Sequence, residues 1–509
     1  MSAKIYLQSP PLWAARWNVL CLALAALLVL AAALVNNLAD YDLWGYLAFG
    51  KLFWTRQGFP YQDVFSYLPT EKVWIYHEWL TGVLFFPLHE RFGGPGLQTL
   101  KYLVGFGIAA LAYRGARTRG ASAPAFFICL ILLCHLLAFG FGVVRAQVFT
   151  YLFFALELLL LESFRLRGDA RKLWALPPLF CLWVNLHGGF VAGLALPGLY
   201  ALAALAARSR MRPYLLALAL ATAATLVNPY GLDFWLKILD AVAMPRPDIV
   251  EWYSAFKAYR TGEYRGHALL FATLVFLALV LTLRKPEPTD PAGLVLLVTA
   301  YVGAAHIRHI VFFAIAFGVY APCLLDKAWR ALLEREDVVR RWRWLVFLAS
   351  IAPLLALADS AVLLAQRVAK TPPFAVVALS KTDPGYHNDA RLLYPRGAVA
   401  FIRAQGFKGN LLPEFTWGEY LLWELPECRV AFDGRYETVF PHAVSRAYFN
   451  FLYARKGWED FLQAYPHDMI LLTTQANVLI SLAGLPDWVE AYRDVECVLL
   501  VRRGFLQGR

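Results

Sequence analysis

The feature that most constrains this chain is a series of long apolar runs, each of 15 to 22 residues, along roughly the first 365 of its 509 residues. A helix of about 20 apolar residues crosses the roughly 30 Å hydrocarbon core of a bilayer. Hydrophobic residues make up 60% of the chain and charged residues 17%, whereas soluble domains are nearer half apolar and a quarter charged. The sequence therefore excludes a soluble globular enzyme and predicts a polytopic α-helical membrane protein.

The spacing of the apolar runs predicts about eleven transmembrane helices. Their expected ranges are 17–38, 97–113, 122–140, 148–164, 173–186, 190–207, 213–227, 267–284, 292–306, 309–325 and 344–365. The stretch from His77 to Arg91 is interrupted by Pro87 and is short for a span. We therefore expect a juxtamembrane helix there.

Short basic loops between the apolar runs predict the orientation of the helices. These loops cover 114–119, 165–172, 208–212, 284–285 and 327–343. Because Lys and Arg mark cytoplasmic loops, this pattern predicts a cytoplasmic N-terminus and a C-terminus on the outer side. Lys4 and Arg16 precede a first run that is too long for a signal-peptide core, which indicates a retained helix. The net charge of +12 is thus a topology signal, and we expect no nucleic-acid partner.

The chain changes character after Lys370, where Pro372 and Pro373 mark a boundary. Strand-like runs at 409–412, 429–432, 469–474 and 497–502 alternate with helix-like stretches at 398–405 and 458–464, an order typical of an α/β domain. We predict a transmembrane domain over 1–365, with its first outer loop at 39–96, and a soluble α/β domain over 366–509. No nucleotide-binding glycine motif is present.

Two features of the C-terminal region leave alternatives open. Asp433 and Arg435 follow a buried-type strand, where α/β folds place ligands, but a plain turn with a surface ion pair fits equally well. Cys428 and Cys497 would pair only in an oxidising compartment. None of the seven cysteines has the spacing of a metal site.

Acidic residues gather at the predicted outer ends of the first helices. Asp40 and Asp42 directly follow the first run, and His77 and Glu78 open the juxtamembrane helix. Such groups can act as a general base, bind an acceptor hydroxyl or bind a divalent cation. Alternatively, one aspartate caps the aromatic-rich helix predicted from Leu43, which would lie in the interface plane. The alternative for His77 and Glu78 is an interfacial anchor built from the neighbouring aromatic residues Trp74, Tyr76 and Trp79.

Basic and amide residues gather at the outer ends of later helices. Arg145 lies between two apolar runs, where an arginine is costly unless it meets an anion such as a lipid phosphate. His306, Arg308 and His309 form a second phosphate-binding candidate. Three further residues, expected either to support the site or only to close turns, are Asn185, His187 and Asn228.

At this point the sequence resembles bacterial integral-membrane proteins of the GT-C glycosyltransferase superfamily. The resemblance rests on the Asp-x-Asp after the first helix, on His77-Glu78-Trp79-Leu80, and on the Asn-x-His-Gly-Gly and Asn-Pro-Tyr-Gly motifs that begin at Asn185 and Asn228. It covers about residues 17–330. Better-known relatives of that group include protein O-mannosyltransferases, aminoarabinose transferases and oligosaccharyltransferases.

The resemblance implies a polyprenyl-phosphate-linked sugar donor, an active site on the periplasmic face of the bacterial inner membrane, and an acid of the first outer loop as the catalytic group. Asp40 and Asp42 match that acid. We therefore expect an inverting transfer to a hydroxyl of a glycan, lipid or protein acceptor, with Arg145 and Arg308 on the departing phosphate. A cation such as Mg²⁺ or Mn²⁺ would be held by Asp40, Asp42 and Glu78.

Three other functions compete with this expectation. A transporter or flippase would also place ionisable residues among helices, although usually near the membrane midplane and with repeat symmetry. A glycan polymerase or ligase would use the same basic residues on a whole lipid-linked chain. In a non-catalytic scaffold, the C-terminal domain would be the functional part and Asp42→Asn would be silent.

Overall fold

The computed structural model describes residues 16–56, 58–244, 246, 249–284, 289–333, 343–383 and 392–507. The chain divides into two compact units. The first, here called the helical unit, comprises Met1–Asn36, Thr99–Asn228 and Pro245–Phe374. The second, the sheet unit, comprises Asn37–Gln98, Pro229–Met244 and Ala375–Arg509. Each unit is built from segments that are far apart in the sequence.

The helical unit consists of helices only, within its described residues. Its α-helices are Arg16–Leu34, the second part of Trp79–Thr118, Ala123–Phe141, Gln147–Arg167, Arg171–Trp174, Leu176–Leu186, Phe190–Ala206, Arg212–Ala224, Ala255–Thr261, Arg265–Arg284, Pro291–Ala305, Ile310–Leu333 and Arg343–Lys370. Two short 3₁₀ helices, Val250–Trp252 and Ile307–His309, lie between them. Most of these helices lie close to the predicted ranges.

Six helices in the described part of the chain are long and apolar enough to cross a membrane. They span Arg16–Leu34, Ala123–Phe141, Gln147–Arg167, Arg265–Arg284, Ile307–Ala331 and Ile351–Lys370. Three shorter apolar helices are Phe190–Ala206, Arg212–Ala224 and Pro291–Ala305. The predicted total of about eleven crossings and the orientation of the termini stay predictions. Of the basic segments used for that orientation, Lys4, Lys285 and residues 334–342 lie outside the described residues.

Local sequence signals end and begin several of these helices. Gly168 adopts φ 71° and ends Gln147–Arg167 with a left-handed residue that glycine tolerates at little cost. The Ser122 hydroxyl accepts a hydrogen bond from the Ala125 amide and caps the helix Ala123–Phe141, whose first turn contains Pro124. Asp290 caps Pro291–Ala305 in the same way, through the Ala292 amide.

Two arginines of the predicted cytoplasmic loops form a buried ionic network in the helical unit. Arg119 donates to Glu162 at 2.8 Å and to Asp290 at 2.5 Å. Arg165 donates to the same Glu162 oxygen at 2.8 Å. Glu162 is fully buried and accepts a further hydrogen bond from Tyr200 at 2.6 Å. These charges therefore tie helix ends together in addition to marking topology.

The sheet unit combines a five-stranded mixed sheet with short helices. Its strands are β1 Asn410–Pro413, β2 Arg429–Val430, β3 Met469–Thr473, β4 Trp488–Arg493 and β5 Cys497–Arg502. Its α-helices are Leu43–Thr55, the first part of Trp79–Thr118, Leu232–Ala243, Arg396–Ala404, Gly418–Glu424, Tyr436–Val439, His442–Leu452, Glu459–Ala464, Asn477–Leu482 and Arg503–Gln507. A 3₁₀ turn covers Phe415–Trp417.

The strand order is β2-β1-β3-β5-β4. β1 pairs in parallel with β2 and β3, whereas β5 pairs antiparallel with β3 and β4. The first four residues of β3 and the first five of β5 are buried, as expected of central strands covered on both faces. The carboxyl ends of the parallel strands β1 and β3 therefore lie side by side.

The segment after the first helix is part of the sheet unit. The Val430 amide donates to the Phe65 carbonyl at 3.0 Å, and Ser66 forms a parallel bridge with Val430. Leu38 forms a second parallel bridge with Val377. The predicted first outer loop and the predicted C-terminal domain thus contribute to one compact unit. The division at residues 365 and 366 stays a prediction.

The helix Leu43–Thr55 differs from its expected place in an interface plane. All residues from Leu43 to Gly50 are buried, so the helix is covered on every side over its first two turns. A Cβ at Gly50 would overlap the Gly82 carbonyl oxygen. The glycine permits this close backbone contact, and the helix is a core element of the sheet unit.

Cys428 and Cys497 are not joined by a disulfide. Both are buried; the Cys428 thiol donates to the Phe407 carbonyl at 3.6 Å and the Cys497 thiol to Asp494 at 3.5 Å. Each thiol is held in its own environment.

Candidate functional site

The predicted acids Asp40 and Asp42 hold different positions at the start of the helix Leu43–Thr55. Asp40 is buried, and its Oδ1 accepts a hydrogen bond from the Asp42 amide at 3.1 Å. Asp42 occupies the N-cap position, but its side chain makes no capping hydrogen bond. Asp40 therefore stabilises the turn, and the Asp42 carboxylate is not used to cap the helix.

A third acid, Glu419, lies beside Asp42 in the sheet unit. Glu419 Oε2 accepts from the Gly45 amide at 3.0 Å, in the first turn of the same helix. A Cβ at Gly45 would overlap this oxygen, so the approach needs glycine. A Cβ at Gly434 would lie 2.6 Å from Glu419 Oε1 and 3.4 Å from Asp42 Oδ1. Both carboxylates therefore lie beside the Gly434 backbone.

Burial and neighbouring charges keep Glu419 protonated more readily than an ordinary glutamate. Desolvation raises its pKa well above the usual range, and Asp42 and Asp433 raise it further. Arg435 acts in the opposite direction, and Glu78 adds a smaller repulsion. The raised pKa thus favours the neutral form of Glu419 beside Asp42, and two neighbouring acids in unequal surroundings are suited to moving a proton.

Arg435 crosslinks this acidic cluster. Its guanidinium donates to both oxygens of Asp433, at 2.9 and 2.7 Å, and to Asp63 at 2.8 Å. All three side chains are at most 2% exposed. The guanidinium also lies 4.9 and 4.8 Å from the ring centres of Phe65 and Trp74. The Asp433 turn therefore carries a buried ion pair, not the surface pair considered from the sequence.

His77 and Glu78 lie in the same unit as the aspartates, with 3.7 Å between His77 Nε2 and Glu78 Oε1. Glu78 and Asp42 both act electrostatically on Glu419. The neighbouring Trp74 and Tyr76 are 1% and 2% exposed and pack against core aromatic residues. These two rings are therefore core side chains of the sheet unit, which weakens the interfacial-anchor alternative for His77 and Glu78.

The predicted phosphate-binding residues lie in the helical unit. Arg145 donates to Glu251 at 2.9 Å. Burial alone would raise the pKa of Glu251, but Arg145 and Arg308 outweigh it and lower the pKa. Glu251 therefore stays ionised and holds Arg145 in place.

Trp252 connects the remaining basic residues. The guanidinium carbons of Arg246 and Arg308 lie 4.1 and 4.6 Å from its ring centre, within cation–π distance. His306 Nδ1 lies 2.9 Å from the Trp252 carbonyl oxygen, and the His309 ring centre lies 5.8 Å from that of Trp252. Because guanidinium groups bind phosphate through several hydrogen bonds, this basic cluster, which contains Arg145, Arg246 and Arg308, is suited to such an anion.

Asn185, His187 and Asn228 hold helix ends in the helical unit. Asn185 donates to the carbonyls of Cys181 and Val227, and Asn228 donates to that of Thr225. His187 Nδ1 accepts from the Gly189 amide at 2.8 Å and lies 2.9 Å from Thr150 Oγ1. These contacts fit the turn-closing alternative, and a supporting role in the site stays a prediction.

The acids do not have the arrangement of a three-ligand metal site. Throughout the described residues, no three His, Cys, Asp or Glu side chains come together as a metal would require. Asp40, Asp42 and Glu78 therefore do not fit as a complete set of ligands. Mg²⁺ often uses one or two carboxylates with substrate phosphates and water, so a divalent cation stays a prediction.

Four residues of these clusters were absent from the sequence-based candidates: Arg246, Glu251, Trp252 and Glu419. Glu419 contacts a helix 374 positions earlier in the chain, and no local pattern signals such a contact. Arg246 and Glu251 lie in a proline-containing segment, predicted to be outer, whose charges were a usable signal.

No protein-family model matches the chain, and no curated protein sequence does either. Solved structures do. An oligosaccharyltransferase of Archaeoglobus fulgidus, tethered to an acceptor peptide, matches with a TM-score of 0.51 and 12% identity, over 91% of this chain and 69% of that chain.

ArnT of Cupriavidus metallidurans matches over nearly the whole chain. The structure bound to undecaprenyl phosphate has a TM-score of 0.51 and 16% identity, over 96% of this chain and 98% of that chain. The apo structure has a TM-score of 0.52 and 16% identity, over 95% and 97%. The chain therefore shares the fold of these solved structures.

Proposed function

We propose that the protein is a membrane glycosyltransferase that transfers a sugar from a polyprenyl-phosphate-linked donor to an acceptor hydroxyl at the periplasmic face of a bacterial inner membrane. The observation that carries the proposal is the GT-C fold over almost the whole chain. One structure of that fold is bound to undecaprenyl phosphate and another to an acceptor peptide. These ligands support a lipid-linked donor and a separate acceptor for this chain.

Asp42 is the proposed general base. Its carboxylate makes no capping bond, whereas Asp40 is engaged by the Asp42 amide. As the acceptor oxygen attacks the anomeric carbon, its proton passes to Asp42. Glu419, whose pKa is raised by burial and by Asp42, stays neutral beside it and does not compete for that proton. Arg435 keeps the cluster from accumulating uncompensated negative charge.

The basic cluster is proposed to bind the leaving phosphate. The bond between the anomeric carbon and the phosphate oxygen breaks, its electron pair stays on the phosphate, and the new glycosidic bond forms with inversion. Arg145 and Arg308 stabilise the charge that develops, since fixed donors in a poorly hydrated site gain most at that moment. Trp252 orients Arg308, and Glu251 orients Arg145. His306 and His309, which pack against Trp252, complete the proposed phosphate site.

Several finer assignments belong to the proposal. They are a cytoplasmic N-terminus, a periplasmic C-terminal domain, and support from Asn185, His187 and Asn228. A Mg²⁺ or Mn²⁺ ion near Asp40, Asp42 and Glu78 is also kept as a proposal, and no step above depends on it.

The proposal is tested with purified protein in vesicles made from a host lipid extract. We expect free polyprenyl phosphate to accumulate, read by mass spectrometry, while a sugar-linked lipid disappears. Movement of the intact lipid between leaflets without any release would instead indicate a transporter. Release of polyprenyl diphosphate with loss of a long glycan would indicate a ligase or polymerase.

A further inference from the structure

A small cavity lies in the sheet unit at the carboxyl ends of the parallel strands β1 and β3. Its volume is about 190 Å³. The residues that follow these two strands line it, including Trp417 after β1 and Thr474 and Gln475 after β3. In α/β sheets, ligands bind in the crevice outside the carboxyl ends of neighbouring strands. The cavity therefore lies where this kind of sheet places a ligand.

Tyr41 forms one wall of the cavity. Tyr41 lies between Asp40 and Asp42 in the sequence. The Cα atoms of consecutive residues are about 3.8 Å apart, so both acids belong to residues adjoining this wall. The Tyr41 hydroxyl donates to the Leu393 carbonyl at 3.3 Å and accepts from the Leu393 amide at 3.0 Å. A group in the cavity would therefore contact the same loop that carries the proposed base.

The aromatic wall is fixed by the backbone. Trp417 Nε1 donates to the same Leu393 carbonyl at 2.8 Å, so one peptide carbonyl anchors both rings. Trp417 is 2% exposed. The wall is thus preformed and does not need a ligand to order it.

The remaining lining is largely polar and includes one basic and one acidic residue. Lys381 and Glu496 both line the cavity. Glu496 Oε2 accepts from the Ser380 hydroxyl at 2.9 Å and from the Lys381 amide at 3.1 Å. Within the described residues, no hydrogen bond engages Glu496 Oε1 or the side chains of Thr474 and Gln475. These groups are available to a ligand.

The chemistry of the lining selects the class of ligand. Hydroxyl and amide side chains both donate and accept, as a sugar hydroxyl does. One acid opposite one lysine does not favour a strongly charged ligand. The volume is below the roughly 300–1,000 Å³ of drug-sized pockets, so the cavity suits a single small ring.

We propose that this cavity binds one sugar residue of a glycan acceptor and presents it beside Asp40 and Asp42. This inference rests on the proposed function, because it assigns the acceptor class to a glycosyltransferase. A short peptide acceptor is the competing ligand, but the two aromatic rings and the hydroxyl and amide side chains of the described lining suit a sugar.

The test measures binding directly, with methyl glycosides of glucose, galactose and N-acetylglucosamine as probes. Saturation-transfer NMR on the full-length protein in detergent detects the contact. We expect Gln475→Trp, which fills the cavity mouth, to raise the dissociation constant of the bound glycoside at least tenfold. Thr474→Val, which keeps the volume and removes one hydroxyl, should raise it several-fold without lowering the unfolding temperature.

Gln463→Trp is the matched control, since Gln463 is an exposed residue of the helix Glu459–Ala464 in the same unit. Its glycoside binding should equal that of the wild type. The inference is overturned if no methyl glycoside binds the wild type at millimolar concentration, if Gln475→Trp binds as the wild type does, or if a threonine-containing tripeptide binds at this cavity and the glycosides do not.

Release of polyprenyl phosphate is measured separately on the wild type. Release without glycoside binding overturns the cavity inference alone. Glycoside binding without release leaves a sugar-binding cavity and contradicts the proposed transferase.

Discussion

The backbone amide of Asp42 donates a hydrogen bond to Asp40 Oδ1, with 3.1 Å between nitrogen and oxygen. This contact makes the two acids of the Asp-Tyr-Asp motif unequal. Asp40 is buried and holds the turn, whereas Asp42 makes no capping bond. The sequence alone left open which carboxylate is the base, and this relationship favours Asp42.

Because Asp40 accepts a hydrogen bond within this turn, we expect two substitutions at Asp40 to affect stability differently. Asp40→Asn keeps an oxygen that can accept from the Asp42 amide, so we expect little change in stability. Asp40→Ala removes the acceptor and should cost about 1 kcal/mol, as the loss of a capping side chain does. Chemical or thermal unfolding of the purified protein measures the difference. Equal stability of the two variants would show that the hydrogen bond is not important.

Arg435 is predicted to be essential for the stability of the sheet unit. Arg435→Met leaves Asp433 and Asp63 buried without their cation, and breaking such a pair costs about 3–5 kcal/mol. Arg493→Met is the matched control, because Arg493 pairs with Glu490 at an exposed position. A large fall in the unfolding temperature is expected only for Arg435→Met. Similar small changes in both variants would contradict the account of the cluster.

Because the pKa of Glu419 is raised in the folded protein, we expect the stability of the protein to depend on pH. Its pKa in the folded protein lies well above its ordinary value, because of burial first and then of Asp42 and Asp433. Its contribution is therefore complete below the unfolded pKa and is lost as the pH rises through the folded pKa. We expect the wild type to lose stability as the pH rises from the ordinary glutamate pKa toward the raised one, and Glu419→Gln to lose less.

The control for this pH dependence is Glu459→Gln, since Glu459 is exposed. Its unfolding temperature should follow the wild-type pH profile. If Glu419→Gln also follows that profile, Glu419 does not titrate as its surroundings indicate.

We expect a substitution of Arg145 to lower kcat/KM for the lipid-linked donor without changing the KM of the acceptor. Arg145→Lys keeps the charge but loses the planar guanidinium that binds phosphate through two hydrogen bonds. We expect kcat/KM for the lipid-linked donor to fall about 10- to 100-fold, with the acceptor KM unchanged. Arg260→Lys, at an exposed position of the same unit, should be silent. An unchanged donor kcat/KM in Arg145→Lys would remove Arg145 from the phosphate site.

Local signals explain what the sequence predicted well. The apolar run Cys497–Arg502 is a strand with the predicted bounds, because its buried residues form a continuous block between turn residues. Asp40, Asp42 and Glu78 became candidates because charged groups at the ends of apolar helices are conspicuous in the sequence. Arg145 became a candidate for the same reason, and the roles of all four residues stay predictions.

The rest depends on contacts that no local pattern encodes. Glu419 reaches Gly45 across 374 positions. The aromatic-rich helix Leu43–Thr55 has the composition of an interfacial helix, but its close contact with Gly82 and with Glu419 buries its first two turns. For Asp433 and Arg435 the sequence left a ligand site and a surface ion pair as alternatives, and the buried ion pair that the structure shows was neither of them, because burial is not encoded locally.

Asp42 is the proposed general base of a transfer that releases polyprenyl phosphate. The initial rate of that release therefore measures its role directly. Purified wild type, Asp42→Asn and Asp40→Asn are compared in a detergent-solubilised host membrane extract, with mass spectrometry of the free lipid phosphate. The account predicts a loss of about 10²- to 10⁴-fold for Asp42→Asn and, for Asp40→Asn, a rate within about tenfold of the wild type. Wild-type release that persists in Asp42→Asn at an unchanged rate would contradict the claim.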